Sequence, residues 1–373
     1  MRSFLLAKRS ALAVVTIFVC SAFINAQSGR VQPTPTPTPV DETLKVVTEE
    51  IKLNVLAFDQ NGEFFRDVTT KDLVITENNI IHVPESVRRI PANVLIVMDT
   101  GGELRSIKSL DTTRKVALGV INSLRAGDAV SILQYSDKAE IVSEWSENRA
   151  EIADAIKRTK FGRRSVFVDA LKLATEYLLK TPNDNRHLVL ITDGTDSLGR
   201  SSEKFDAFQR LLGTDISVHV LSYTSMEAAD IEPRTKGISN SPPPKAMPDE
   251  IQATLPNGVK DKGVKVGPTI NLDRTLINKM KARKADLKTS EEQLAKLAED
   301  TNGEFISPAG VDEMKEKASL VARMIDASYV VTYTPKFPVT ESRGVAERVI
   351  DVTSKRAGLV VQARRRLVIE RAK

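Results

Sequence analysis

The sequence predicts an α/β protein: a doubly wound, mostly parallel sheet flanked by helices, inserted in a β-sandwich-like domain built from both chain ends. Between residues 93 and 222, short apolar runs (VLIVMD, AVSILQYS, HLVLITDG, ISVHVLSY) alternate with amphipathic stretches of helical period. Strands apolar on both faces belong to a sheet covered by helices on both sides. β-rich segments stand at both ends, over 44–90 and 327–373. Each is too short to bury a core alone, so the two are expected to pair. At 373 residues the chain has room for two or three domains of about 100–200 residues each.

Residues 1–26 read as a secretory signal peptide. Arg2, Lys8 and Arg9 give a positive start, ALAVVTIFVCSAFI is a short apolar run, and Ala26 offers a small residue for cleavage. An uncleaved membrane anchor is the alternative. The product is therefore expected to be exported: periplasmic, secreted or on the cell surface. Residues 27–43, with PTPTPTPV, form a stiff Pro/Thr-rich linker. Cys20 is the only cysteine, so cleavage removes disulfide and thiolate chemistry together. The formal charge of +5 falls to about +2 without the three leader cations, which gives no case for nucleic acid.

Within 44–90, IKLNVLAF is a strand, DQNGE a turn, and DLVITENNIIHV two strands about a turn at Glu77-Asn78-Asn79. From 91 to 326 the order is VLIVMD, helix KSLDTTRKVALGVINSL, then AVSILQYS paired with AEIVSEW across Ser136-Asp137-Lys138. Helices RAEIADAIKRTK and SVFVDALKLATEYLLK follow, then strand HLVLITDG, helix EKFDAFQRLLG and strand ISVHVLSY. Residues 226–288 are Pro-, Gly- and Lys-rich with no sustained periodicity, which predicts a flexible excursion or a partner-contacting loop. Helix SEEQLAKLAEDTNG, strand EFIS and helix VDEMKEKASLVARMIDA resume the pattern. SYVVTYTP, ERVIDVTS and GLVVQARRRLVIE then give the C-terminal β segment.

Two of the buried strands end in aspartate, Asp99 and Asp193, and Ser165 stands at a helix start. In a doubly wound sheet the loops beyond the strand carboxyl ends meet in a crevice where the strand order switches. Carboxylates and hydroxyls gathered there suit a hard cation such as Mg2+, with Mn2+ or Ca2+ as alternatives.

The order VLIVMDT, GRRSVFVDAL, LVLITDGTDS resembles the von Willebrand factor A (VWFA) domain. TTKDLVITENNIIHV before it and LAKLAEDTNGEFI…SYVVTYTP after it resemble the bacterial exported "VWFA-related" proteins. The resemblance implies a VWFA domain over 91–326, an interaction or adhesion role, and a metal-ion-dependent adhesion site made of Asp-x-Ser-x-Ser, a Thr and an Asp. In such a site the metal binds a carboxylate of a protein partner. Asp99 matches the first Asp, Ser165 the Thr and Asp193 the last Asp. Gly101 and Glu103 stand where the two serines are expected, so the site is degenerate. Three states are compatible with these residues: Asp99, Ser165, Asp193 and Glu103 hold a metal; Arg163 or Arg164 enters the crevice and replaces it; or the loop has lost its ligand. Without a metal no cofactor is implied.

Asp196 is read as a turn residue, and Asp169 as a first-turn charge facing the helix dipole. His187, His219 and Trp145 are read as structural. A haloacid-dehalogenase-like hydrolase is a remote alternative, because Gly101 occupies the second Asp of its Asp-x-Asp. No nucleophile elbow, P-loop or His-Glu-x-x-His appears. The reading is an exported, non-enzymatic module for a protein partner, with no small-molecule substrate. The alternative is a structural scaffold of an envelope assembly acting through the β-domain or residues 226–288.

Overall fold

Every residue of strand β5 (Asn93–Asp99) is buried, which demands cover on both faces of its sheet. Alternation sends Val94, Ile96 and Met98 into one core and Leu95 and Val97 into another. The computed structural model describes residues 50–102, 108–240, 268–337 and 346–369, all within a unit spanning Thr48–Lys373. The expected signal peptide, the Pro/Thr-rich linker and Glu103 lie outside the described residues.

The central sheet runs β12 (Phe305–Ile306), β9 (Ser217–Ser222), β8 (Arg186–Thr192), β5, β6 (Ala129–Tyr135), β7 (Ala139–Ser146). All neighbours are parallel except the β6–β7 hairpin. Helices α1 (Leu110–Ser123), α2 (Arg149–Arg158) and α7 (Val311–Asp326) fill the first core. Helices α3 (Phe167–Leu179), α4 (Ser201–Leu212) and α6 (Arg274–Asp300) fill the second. The chain leaves β5 for β6 on one side and returns to β8 on the other, so the switch in strand order lies between β5 and β8. That is where Asp99 and Asp193 emerge.

Both chain ends build two antiparallel four-stranded sheets. One runs β15 (Val360–Ala363), β1 (Ile51–Phe58), β13 (Ser328–Tyr333), β4 (Ser86–Arg88). The other runs β16 (Arg366–Ile369), β14 (Ala346–Ser354), β2 (Leu73–Glu77), β3 (Ile80–His82). N-terminal β1 pairs with C-terminal β13 and β15, and β2 with β14. Leu53, Val55, Ile75, Tyr329, Val331 and Val352 share one core. The β2–β3 turn has positive φ at both Asn78 (47°) and Asn79 (65°), the type I′ geometry that Asn tolerates.

The expectation that residues 226–288 lack regular structure is overturned where they are described. They include α5 (Thr224–Ile231), a 3₁₀ turn, the β10–β11 pair (Ile238–Ser239, Thr269–Ile270) and the first half of α6, which begins at Arg274 rather than near Ser290. Asp273 starts α6 by accepting from the Thr275 and Leu276 amides. In this half only Met280 and Leu287 are buried apolar residues, so the apolar period is too sparse to read. Residues 241–267 lie outside the described set. Among the described residues no helix is long and apolar enough to cross a membrane.

A buried polar chain joins the α/β sheet to the β-domain. The Glu304 amide donates to His219 Nδ1 (3.2 Å), which places the His219 proton on Nε2, facing His187 Nδ1 (3.1 Å). His187 then donates from Nε2 to Asn185 Oδ1 (2.8 Å), which also accepts from Asn54 of β1 and Ser328 of β13. Both rings are thus held neutral. Burial pushes His219 down to about 4 and His187 well below its usual 6.5. These are bases whose folded pKa is depressed, so between about 4 and 6.5 the unfolded chain binds more protons and stability falls with falling pH. For His219 alone the full effect is about 3 kcal/mol. Melting curves at pH 7 and pH 5 should show a loss for the wild type that shrinks in His219→Gln; equal losses in both would remove this account.

Candidate functional site

Asp99 and Asp193, at the ends of adjacent strands, are completely buried. The Gly101 amide donates to Asp99 Oδ1 (3.2 Å). Asp193 Oδ1 accepts from the Thr195 amide (2.7 Å) and hydroxyl (2.6 Å). Two uncompensated carboxylates could not remain charged at this depth. The compensation comes from Lys108. Its ammonium lies 2.6 Å from Asp99 Oδ2 and 3.6 Å from Asp193 Oδ2, with 2% of its side chain exposed. Lys108 directly precedes Ser109, whose Oγ caps α1 by accepting from the Thr112 amide. The cap fixes the backbone that aims the lysine.

A second cation reaches over from α6. Arg283 Nη2 lies 3.4 Å from Asp193 Oδ2 and 3.0 Å from Glu227 Oε2 of α5, while Nη1 donates to Thr195 Oγ1 (2.9 Å). Ser290, about two turns further along, donates to the Asp193 carbonyl (2.7 Å). Lys204 of α4 stands over the Phe167 and Phe208 rings at 5.5 and 5.6 Å, and burial pushes its ammonium down to about 8. The buried Tyr135 hydroxyl bonds Thr192 Oγ1 (2.5 Å) and is pushed up by burial and by the charges of Asp99 and Asp193.

Ser165 is buried at the same end of the sheet. Its hydroxyl donates to the Thr195 carbonyl (3.2 Å), and its amide donates to Ser197 Oγ. Arg163 and Arg164 are exposed; their backbone amides, not their guanidinium groups, bond the Asp137 carboxylate. The cation between Asp99 and Asp193 is Lys108, and of the three states open from the sequence, the one in which an arginine of this pair enters the crevice is not what the structure has. The reason is geometric. Gly101 forms a bridge to Gly162, and this pairing turns the 162–164 backbone toward the strand and its arginine side chains toward solvent.

The same pairing explains Gly101. A Cβ there would sit 1.8 Å from the Arg164 carbonyl oxygen and 2.8 Å from Ser136 Cα. Serine cannot occupy the first hydroxyl position of the adhesion motif in this loop arrangement. Asp196 bonds the Val168 amide at the start of α3 and the Leu198 amide, and pairs with Arg200, which also grips Asp169 through both carboxylate oxygens. These carboxylates organise the rim.

Residues 94–195 match the family model of the von Willebrand factor type A domain. The chain contains a von Willebrand factor type A domain. An uncharacterised Synechocystis protein is 28% identical over 176 residues, covering 46% of this chain and 41% of that one. The pig inter-alpha-trypsin inhibitor heavy chain H4 is 24% identical over 149 residues, covering 37% and 16%. The chain thus spans less than half the length of either relative. Among solved structures, BatB from Bacteroides thetaiotaomicron is similar at 15% identity, covering 63% of this chain and 98% of that one, with a TM-score of 0.38.

A-type domains often hold a metal between such carboxylates, but the donors of this A domain do not fit one. Gly101 contributes no side-chain oxygen, Lys108 stands between the two carboxylates, and Arg283 takes one oxygen of Asp193. Sequence reasoning missed Lys108, Glu227 and Arg283. The available signal for Lys108 was a lone basic residue just before the Ser109 cap. For Arg283 it was the Asp273 cap, which would have extended the helix back across the site.

Restoring the missing serine should damage the fold rather than rebuild the motif. Gly101→Ser is expected to lower stability by about 2 kcal/mol or more, through forced movement of the 162–164 loop. Chemical denaturation measures this, and an unchanged midpoint would contradict the close approach at Gly101.

Proposed function

We propose that the protein is an exported, non-enzymatic interaction module that engages a protein partner through the rim of the A-domain crevice. The A domain supports an interaction or adhesion role in general. The observation that carries the finer reading is the make-up of the rim. Arg163 and Arg164 stand exposed on the loop bridged to Gly101. On the neighbouring segment, tied to Ser165 through Ser197, Leu198 is 50% exposed. Arginine beside an exposed aliphatic side chain is a feature of protein-binding patches. The arginines favour a partner presenting acidic residues. The expected signal peptide supports export, and the Pro/Thr-rich linker would hold the domain away from the membrane or wall it leaves.

A scaffold role through the segment between α5 and α6 is the second reading. It is favoured by Ile238, Ile270 and Leu272, which are largely exposed together on and beside the β10–β11 pair.

The two readings separate in cross-linking capture from an envelope fraction. If the rim is used, Arg163→Glu with Arg164→Glu and Leu198→Asp should reduce capture at least about tenfold while leaving the melting temperature within about 3 °C, as expected for surface substitutions. Ile270→Asp with Leu272→Asp should then be silent. The reverse pattern would transfer the function to the α5–α6 segment.

A further inference from the structure

We infer that the Lys108 ammonium permanently occupies the place of the divalent cation, so that the crevice of this A domain is charge-compensated from within the chain and is independent of metal. The inference goes beyond the interaction role and does not depend on any partner.

Three independent features support it. The first is position: Lys108 Nζ contacts Asp99 at 2.6 Å and lies 3.6 Å from Asp193, the two carboxylates that would have to share an ion. A Mg2+ ion needs oxygen ligands at about 2.0–2.1 Å in octahedral array and keeps several waters. An ammonium already lodged between the carboxylates excludes that shell by volume and by like charge. The second is the donor set. Gly101 cannot acquire a side-chain oxygen, because the Arg164 carbonyl fills the space. The third is charge. Lys108 and Arg283 together bring the two positive charges that a divalent ion would bring, delivered from two separate helix-bearing segments. The same Arg283 Nη2 also lies 3.0 Å from Glu227 Oε2, which holds the guanidinium over Asp193.

The consequence is a change in how the site responds to its surroundings. A bound ion is in exchange with solvent and can be removed by a chelator. A tethered ammonium is always present and cannot leave. It also offers no open coordination position, so a partner's carboxylate cannot complete a shell at the bottom of the crevice. Contact is confined to the rim and to the quarter-exposed face of Arg283.

The test uses the mature chain, with its 27–43 linker, in EDTA and in millimolar Mg2+, Mn2+ or Ca2+. The wild type is expected to melt within about 1 °C in all four conditions and to leave the Mn2+ electron paramagnetic resonance signal that of free ion. A metal-dependent rise of about 5 °C or more, reversed by EDTA, would overturn the inference. Lys108→Met, which keeps the apolar stem without the charge, is expected to melt about 5–15 °C lower because it leaves Asp99 buried without its cation. Adding Asp99→Asn should recover at least about half of that loss, as expected for two groups that act as a pair. If Lys108→Met does not fold, Asp99→Asn/Lys108→Met supplies the answer, since it should fold where the single variant does not. Lys108→Met melting like the wild type, or a double variant no better than the single, would show that the ammonium is not compensating Asp99.

Discussion

Two carboxylates completely buried at the ends of adjacent strands are the constraint to which the upper half of this A domain answers. Charge removed from water at that depth is retained only if matched by opposite charge in good geometry. Here the match is made by Lys108 on Asp99 and by Arg283 on Asp193. Each cation comes from a different part of the chain, and each is aimed by a capped helix: Ser109 opens α1 immediately after Lys108, and Asp273 opens α6 less than three turns before Arg283. The path of α6 across the second core follows from the same requirement. Leu287, Leu294 and Leu297 bury its apolar face, while Arg283 and Ser290 reach Asp193.

The loops around the carboxylates are closed as tightly as the charges. Gly194 adopts φ 66° and has Leu294 and Ser290 of α6 packed where a Cβ would stand, so the turn after β8 and the helix above it fit only through glycine. Gly101 is fixed in the same way by the Arg164 carbonyl. Backbone and two cations therefore surround the aspartates from above. A strand-end aspartate pair can persist in a loop whose other motif positions hold Gly101 and Glu103 because the pair has a structural task, holding Lys108 and Arg283 and hence two helices.

The fold was legible in the sequence because its determinants are local and dense. VLIVMD, HLVLITDG and ISVHVLSY are apolar at nearly every position, which only a covered parallel sheet accommodates, and their Asp ends were visible too. The β strands at both ends were readable from alternation and from Asn78-Asn79. The site was less legible because charge compensation is a long-range event. Asp193 and Arg283 are 90 positions apart, and nothing in the pattern of either announces the other. Helix α6 hid its first half for a related reason: it lies over the site with a mostly polar surface, so its hydrophobic period starts only where it meets the sheet. Arg163 and Arg164 drew attention by proximity in sequence to Ser165. Backbone pairing at Gly162 decides which way that loop faces, and pairing of that kind leaves no trace in composition.

The β-domain and the crevice lie at opposite ends of the same strands. At the top, β5 and β8 deliver Asp99 and Asp193. At the base, Asn185 just before β8 and His187 within it bond Asn54 and Ser328 of the β-domain through neutral donors and acceptors. Arg364, fully buried, adds a second tie by donating to the Thr214 and Ile216 carbonyls just before β9. Strands held at their base by directional hydrogen bonds cannot slide in register, and a parallel ladder transmits that restraint along its length. The separation of the two aspartates is therefore set from below as well as by the cations between them. A site compensated by a tethered lysine needs such a frame more than a metal site does, because an ion re-seats itself among shifting ligands whereas a side chain of fixed length meets its carboxylates only if the strands present them at one spacing.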